Sequence, residues 1–286
     1  MRLISPLLAA CCLWAALAAT PLYAANSQKS TPSPSPAWTV DDAKQTAHDW
    51  GRELFDDTSA LVTQPSRWNT AGWTRLGAVA FGTVLLYQVD GQIGEQLADP
   101  GTRLTQLGAN IGNPLGNLAL LLPALGLTAY GAHRSGNDAV VSTAGRAAEA
   151  AILAGGTALA GKYLLGRHRP GSGDGAHSFD GPGLHGDRYR SFPSGHSAAA
   201  FAVASVVAER HRKFAPVAYG AATLTAYARV SREQHWASDV FAGAALGLWI
   251  GHSVAKNHPP GANTKRPKTA MIPTNGGFLL TLNWTR

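Results

Sequence analysis

The sequence predicts an all-α fold: a six-helix core bundle with a short C-terminal strand or hairpin. Three observations predict it. Only 14% of the 286 residues are charged and 45% are apolar, against roughly 25% charged in an ordinary soluble chain. Apolar stretches of helical length recur between short polar turns, rich in Ala, Leu and Gly and poor in β-branched runs. Disorder and a collagen-like repeat are both excluded, because the first needs low hydrophobicity and the 32 Gly and 17 Pro follow no three-residue period.

The elements follow in order. Arg2, an apolar stretch over 3–18 and the small residues Ala24 and Ala25 read as an export signal over 1–25. Cys11 and Cys12, the only cysteines, fall inside it, so an exported chain holds no thiol nucleophile, disulfide or Cys-based zinc site. Residues 26–39 are a Pro/Ser-rich linker. Over 40–67, Ala43, Ala47, Trp50 and Leu54 recur at helical spacing among charges, which describes an amphipathic helix lying on a larger body.

Six apolar helices are expected over 76–89, 114–133, 147–165, 197–208, 214–228 and 240–255, within one domain spanning 68–256. In the last, Gly243, Gly247 and Gly251 form a stripe of small residues suited to close helix approach. The tail over 257–286 is basic and polar, and Phe278, Leu280, Leu282 and Trp284 alternate after a Gly-rich turn as in a strand or hairpin arm.

Chemistry concentrates in three places. Lys162 closes the third apolar stretch and Arg169 follows seven residues later, directly before Pro170; two helical turns put both cations on one side. The run Gly156 to Lys162 is near a phosphate-binding loop, but Tyr163 stands where a magnesium-holding hydroxyl belongs. Second, Pro193-Ser194-Gly195-His196 opens a small-residue helix. Ser194 or Ser197 can cap it, and its free N–H groups form a phosphate cradle beside an imidazole. Third, Arg229 precedes His235 by six residues, and Asp239 follows four later. His235 and Asp239 can meet across one turn or a capped helix start, the carboxylate fixing the imidazole tautomer.

Together these positions match the signature Lys-(six residues)-Arg-Pro, Pro-Ser-Gly-His and Arg-(five residues)-His-(three residues)-Asp. The chain thereby resembles the superfamily of type 2 phosphatidic acid phosphatases, bacterial class A acid phosphatases and vanadium haloperoxidases. One departure is Ala228, where the family often has Ser before the arginine. The resemblance implies a six-helix core and metal-independent hydrolysis of phosphate mono- or diphosphate esters, lipid phosphates first among them, with no cofactor. It implies His235 as nucleophile forming a phosphohistidine, Asp239 as its orienting carboxylate and His196 as the proton donor. Lys162, Arg169, Ser194, Gly195 and Arg229 would hold the phosphate. The soluble acid phosphatase and the haloperoxidase remain as alternatives.

The Gly-rich connection over 171–186 carries Asp174, His177, Asp180 and His185, and it reads as a mobile lid rather than a metal site. The formal charge of +7 suits an anionic substrate or a membrane surface. Nucleic acid is disfavoured, since the cations sit at helix ends without interleaved aromatics. Basic turns favour five membrane spans with an exterior-facing site, placing the protein in the bacterial inner membrane; a soluble periplasmic bundle is the competing arrangement.

Overall fold

The computed structural model of the protein describes residues 40–98, 102–184, 186–259, 268–274 and 277–283. The expected leader over 1–25 and linker over 26–39 lie outside these residues.

Eight α-helices are present among the described residues: α1 Val40–Thr63, α2 Thr70–Ala98, α3 Arg103–Leu115, α4 Leu118–Arg134, α5 Asp138–Leu165, α6 Gly195–Arg210, α7 Ala215–Ser231 and α8 Ala237–Asn257. The all-α expectation holds. The C-terminal arm is an antiparallel hairpin, β1 Lys268–Thr274 and β2 Gly277–Asn283, with Lys268 opposite Asn283 and Thr274 opposite Gly277.

The helix boundaries differ from the expected ones for local reasons. α2 runs on past residue 89, the expected end, and Asp90 is wholly buried within the helix. The single helix expected over 114–133 is two. Pro114 lies in the last turn of α3, and Asn117 caps α4, its Oδ1 accepting from Ala119 N at 3.0 Å. α3 itself was not expected: Thr102 and Thr105 close a capping box over a polar sequence that shows no long apolar run. α5 begins at Asp138, nine residues early, because Asn137 caps it and Arg146 and Glu149 are accommodated inside the helix.

No single helix among the described residues is long and apolar enough to cross a membrane. Only Thr105–Leu115 with Leu118–Arg134 passes as a pair, bent by 71° at the break.

The core centres on α6, whose Ala198, Ala199, Ala202 and Val203 are fully buried. Around them stand Ala150, Ala151, Ala154 and Ala158 of α5, Ala221 of α7 and Ile250 and Val254 of α8. An alanine-rich core packs only if backbones come close, and the glycine stripe of α8 provides this. A methyl on Gly243, Gly247 or Gly251 would collide with the carbonyls of Ser194, Ala198 and Ala202 on α6. The stripe holds α8 flat against α6, so the starts of both helices lie side by side, Ser194 N donating to Asp239 O at 3.0 Å.

Gly247→Ala is expected to destabilise the fold by about 1–3 kcal/mol through overpacking. Gly220→Ala on α7 places its methyl in open space and is expected to be neutral or slightly stabilising. Chemical denaturation of the two variants measures the contrast.

Candidate active site

The site forms where the C-terminal ends of α5 and α7 meet the N-terminal ends of α6 and α8. Lys162 lies in the last turn of α5, which stops at Gly166 with φ 60° and ψ 37°, a left-handed conformation that glycine adopts without strain. Arg169 is therefore on an extended segment beyond the helix, not two turns along it. The Gly-rich segment folds back so that Arg167 bridges Phe179 and Ser191 N donates to Arg167 O at 2.8 Å.

At the other helix starts, Ser194 caps α6. Its Oγ accepts from Ser197 N at 3.4 Å, which leaves the N–H groups of Gly195 and His196 to face an anion at the positive end of the helix. Asp239 occupies the third position of α8, where its Oδ2 accepts from Trp236 N at 2.9 Å. The capped-start option for His235 and Asp239 is thus the one realised.

His235 is 2% exposed, with Nδ1 3.6 Å from Asp239 Oδ2 and 3.5 Å from Ser191 Oγ. Ser191 Oγ itself donates to Asp239 Oδ2 at 2.5 Å. Asp239 therefore lies beyond hydrogen-bond distance of the imidazole, with Ser191 beside both. Burial, then Lys162, Arg229 and Arg169, hold the His235 pKa well below the ordinary histidine value, so the ring is neutral. With Nδ1 on the Ser191 and Asp239 side, Nε2 is the nitrogen left for chemistry.

The three cations act on one another and on both histidines. Lys162 Nζ donates to the carbonyls of Arg190 at 2.6 Å and Ser191 at 3.2 Å; burial and Arg169 lower its pKa to about 7. Arg229 donates to Asn113 Oδ1 at 2.5 Å, keeps its buried Nε without a partner, and is lowered to about 10 by burial and Arg169. Arg169 donates to Gln234 Oε1 at 2.7 Å and Asp187 Oδ1 at 2.9 Å. Burial and the same cations push His196 down to about 3. Neutral acceptors hold Lys162 and Arg229, so their positive charge is left to meet an oxyanion. Such an anion would raise His196 and Lys162 again. Ala228 is fully buried, and a methyl on Gly112 of α3 would come within 3.0 Å of its Cβ, so close helix packing occupies the departing position.

Sequence reasoning missed the residue that organises this arrangement. Arg167, wholly buried, donates from Nη1 to Asp239 Oδ1 at 2.6 Å and Ser238 Oγ at 2.7 Å, and from Nη2 to Asp90 Oδ2 at 2.8 Å. Tyr87, Phe179 and Trp236 surround the guanidinium, with ring centres at 5.0, 5.5 and 5.7 Å. The available signal was Asp90, a lone carboxylate inside an apolar stretch, which must find a cation if it is buried. Ser191, Gln234 and Asn113 carried no signal of their own.

The expected lid is pinned at several points. His168 contacts Asp174 Oδ2 at 3.0 Å and Asp180 Oδ1 at 2.9 Å; desolvation lowers its pKa, but the two carboxylates together outweigh it and the pKa is raised. His177 bonds Tyr87 O at 3.0 Å. His185 lies outside the described residues. Beside Arg229, a polar cavity of about 400 Å³ is lined by Asn113, Arg229, Ser231, Arg232, Glu233 and Gln234.

Residues 143–260, which contain every one of the sequence-predicted site residues, match the family model of the PAP2 superfamily. Over 103 residues, 35% of the chain, the protein is 37% identical to the lipid A 1-phosphatase of Porphyromonas gingivalis. The match covers 20% of that protein, so the chain spans about a fifth of this curated relative's length. No solved structure matches.

Two outcomes follow from the geometry. Arg167→Met leaves Asp90 and Asp239 buried without their cation and is expected to cost about 3–5 kcal/mol in urea unfolding. Lys162 is charged below its pKa and neutral above it, so oxyanion affinity must fall as pH rises through about 7. Calorimetric titration with sulfate, whose own charge is constant there, should show a loss of about tenfold between about pH 6 and pH 8. Lys162→Arg should flatten that dependence.

Proposed function

We propose, from the match of residues 143–260 to the PAP2 superfamily model and the geometry above, that the protein is a metal-independent phosphatase acting on phosphorylated lipids. The observation that carries the proposal is a buried, neutral His235 surrounded by Lys162, Arg169 and Arg229 at a helix N-terminus. A neutral imidazole is a nucleophile, and uncompensated cations stabilise charge on a phosphoryl group in transfer.

In this reading the phosphate oxygens lie against Lys162, Arg169, Arg229 and the N–H groups of Gly195 and His196. His235 Nε2 forms a bond to phosphorus in line with the ester oxygen, and the P–O bond breaks. The imidazolium that forms is stabilised by Asp239 and Ser191 on its Nδ1 side. His196, its pKa raised by the bound dianion, gives its proton to the leaving oxygen. Water activated by the now neutral His196 then breaks the N–P bond, which releases inorganic phosphate and restores both imidazoles.

Two observations support a lipid substrate. Phe81, Val84 and Leu85 of α2 and Leu159 and Leu164 of α5 stand exposed, which suits contact with acyl chains or a bilayer surface. The cavity beside Arg229 is lined by polar side chains, which suits a hydrated headgroup. The relative named lipid A 1-phosphatase favours the same class, and a lipid substrate of that kind would place this protein in the bacterial envelope.

Release of inorganic phosphate from a panel of lipid phosphates in mixed micelles and of soluble esters, with no added metal, tests this reading. Turnover of lipid phosphates is expected, and His235→Ala should reduce it by at least about a thousandfold without loss of helical circular dichroism. Full activity in His235→Ala, or turnover of soluble esters alone, would overturn it.

A further inference from the structure

Far from the active site, three elements bring Asp57 of α1, Glu149 of α5 and His258, the residue after α8, into one cluster. Asp239 lies in the first turn of α8 and His258 just beyond its last. The 21 residues of that helix place the two sites about 30 Å apart. One ligand atom from each of Asp57, Glu149 and His258 lies within 4.8 Å of the other two.

The arrangement of each carboxylate is specific. Asp57 Oδ1 accepts from Asn257 Nδ2 at 3.1 Å, which leaves Oδ2 on the His258 Nε2 side at 2.9 Å. Glu149 Oε2 accepts from Arg146 Nη1 at 2.7 Å, and the same nitrogen reaches Glu53 Oε2 at 3.0 Å. The second oxygen, Oε1, is buried with no hydrogen-bond partner, on a side chain that is 1% exposed. Each carboxylate is thus held by one oxygen from outside and presents the other inward, as metal-binding carboxylates do when outer partners orient them.

Two acceptors facing each other in a buried pocket require something positive between them. Glu149 Oε1, buried without a donor, faces that gap, and an unpaired buried carboxylate oxygen is costly unless a cation meets it. The charges in reach are Glu53, Asp57 and Glu149 against Arg146, with Arg210 from α6 engaged by the carbonyl of His258 and Ser142 Oγ at 3.0 Å.

We infer that Asp57, Glu149 and His258 form a binding site for a divalent transition-metal ion of the zinc type. One imidazole nitrogen and two carboxylate oxygens with open positions suit zinc better than magnesium or calcium, which prefer all-oxygen shells. Ligand atoms around tetrahedral zinc stand about 3.3 Å apart, so a small contraction closes the present cluster onto an ion. The ion fastens α1 and the end of α8 to α5, and it takes no part in turnover at the other end of α8.

Zinc titration of the metal-stripped full-length protein, followed by calorimetry and thermal unfolding, tests the site without any need for activity. One equivalent is expected to bind and to raise the melting temperature by several degrees. Glu149→Gln and the partly exposed His258→Gln should each weaken binding by at least about a hundredfold. Cobalt substitution should give the visible absorption of a nitrogen–oxygen site, and His258→Gln should alter it. No saturable binding by the unmodified protein, or equal binding by both variants, would overturn the inference. Loss of phosphate release with zinc binding intact would strike only at the phosphatase reading.

Discussion

The arrangement of the site depends on one buried guanidinium. Arg167 touches α2 through Asp90 and α8 through Asp239 and Ser238, and its own backbone fixes Ser191. A wholly buried arginine is tolerated only when carboxylates and other acceptors take its donors, and here two aspartates, a serine and the Ala176 carbonyl do so. The consequence is positional. Asp239 cannot rotate without breaking the pair, so its Oδ2 stays at the start of α8 to receive Trp236 N and Ser191 Oγ, and His235 is set against that edge.

Electrostatics then follow from what holds each cation. Backbone carbonyls take Lys162, a side-chain amide takes Arg229, and only Arg169 meets a carboxylate, that of exposed Asp187. Local positive charge is therefore largely uncancelled, and with burial, the larger cause, it keeps His235 and His196 neutral. The same surplus has an anion as its natural complement. Pairing these cations with buried carboxylates would have been more favourable for the fold alone, which is why the pattern points to function.

Much of this was legible in the sequence, and the illegible part has identifiable causes. Lys162, Arg169, His196, Arg229, His235 and Asp239 were marked by spacing, and the structure brings all six together; the Gly243, Gly247, Gly251 stripe was marked by its four-residue period. Arg167 was hidden because it sits between two cations already accounted for. Its partner Asp90 was hidden because a charge in an apolar run reads as a boundary until the run's true length is known. α3 escaped because it is short and largely polar, with Asn113 at the cavity offering its side-chain oxygen as acceptor to Arg229, so its sequence lacks the apolar signal of the other helices. The break between α3 and α4 escaped for a related reason: Pro114 and Asn117 stand in a stretch that otherwise reads as one apolar run.

Chemical identification of the covalent intermediate tests the central claim most directly: that this hub presents a neutral His235 to phosphorus. During turnover of a lipid phosphate, an alkaline quench followed by peptide mass mapping should find one phosphoryl group on His235. Phosphate on any other residue, or turnover with no phosphorylated histidine under conditions that preserve one, would contradict it.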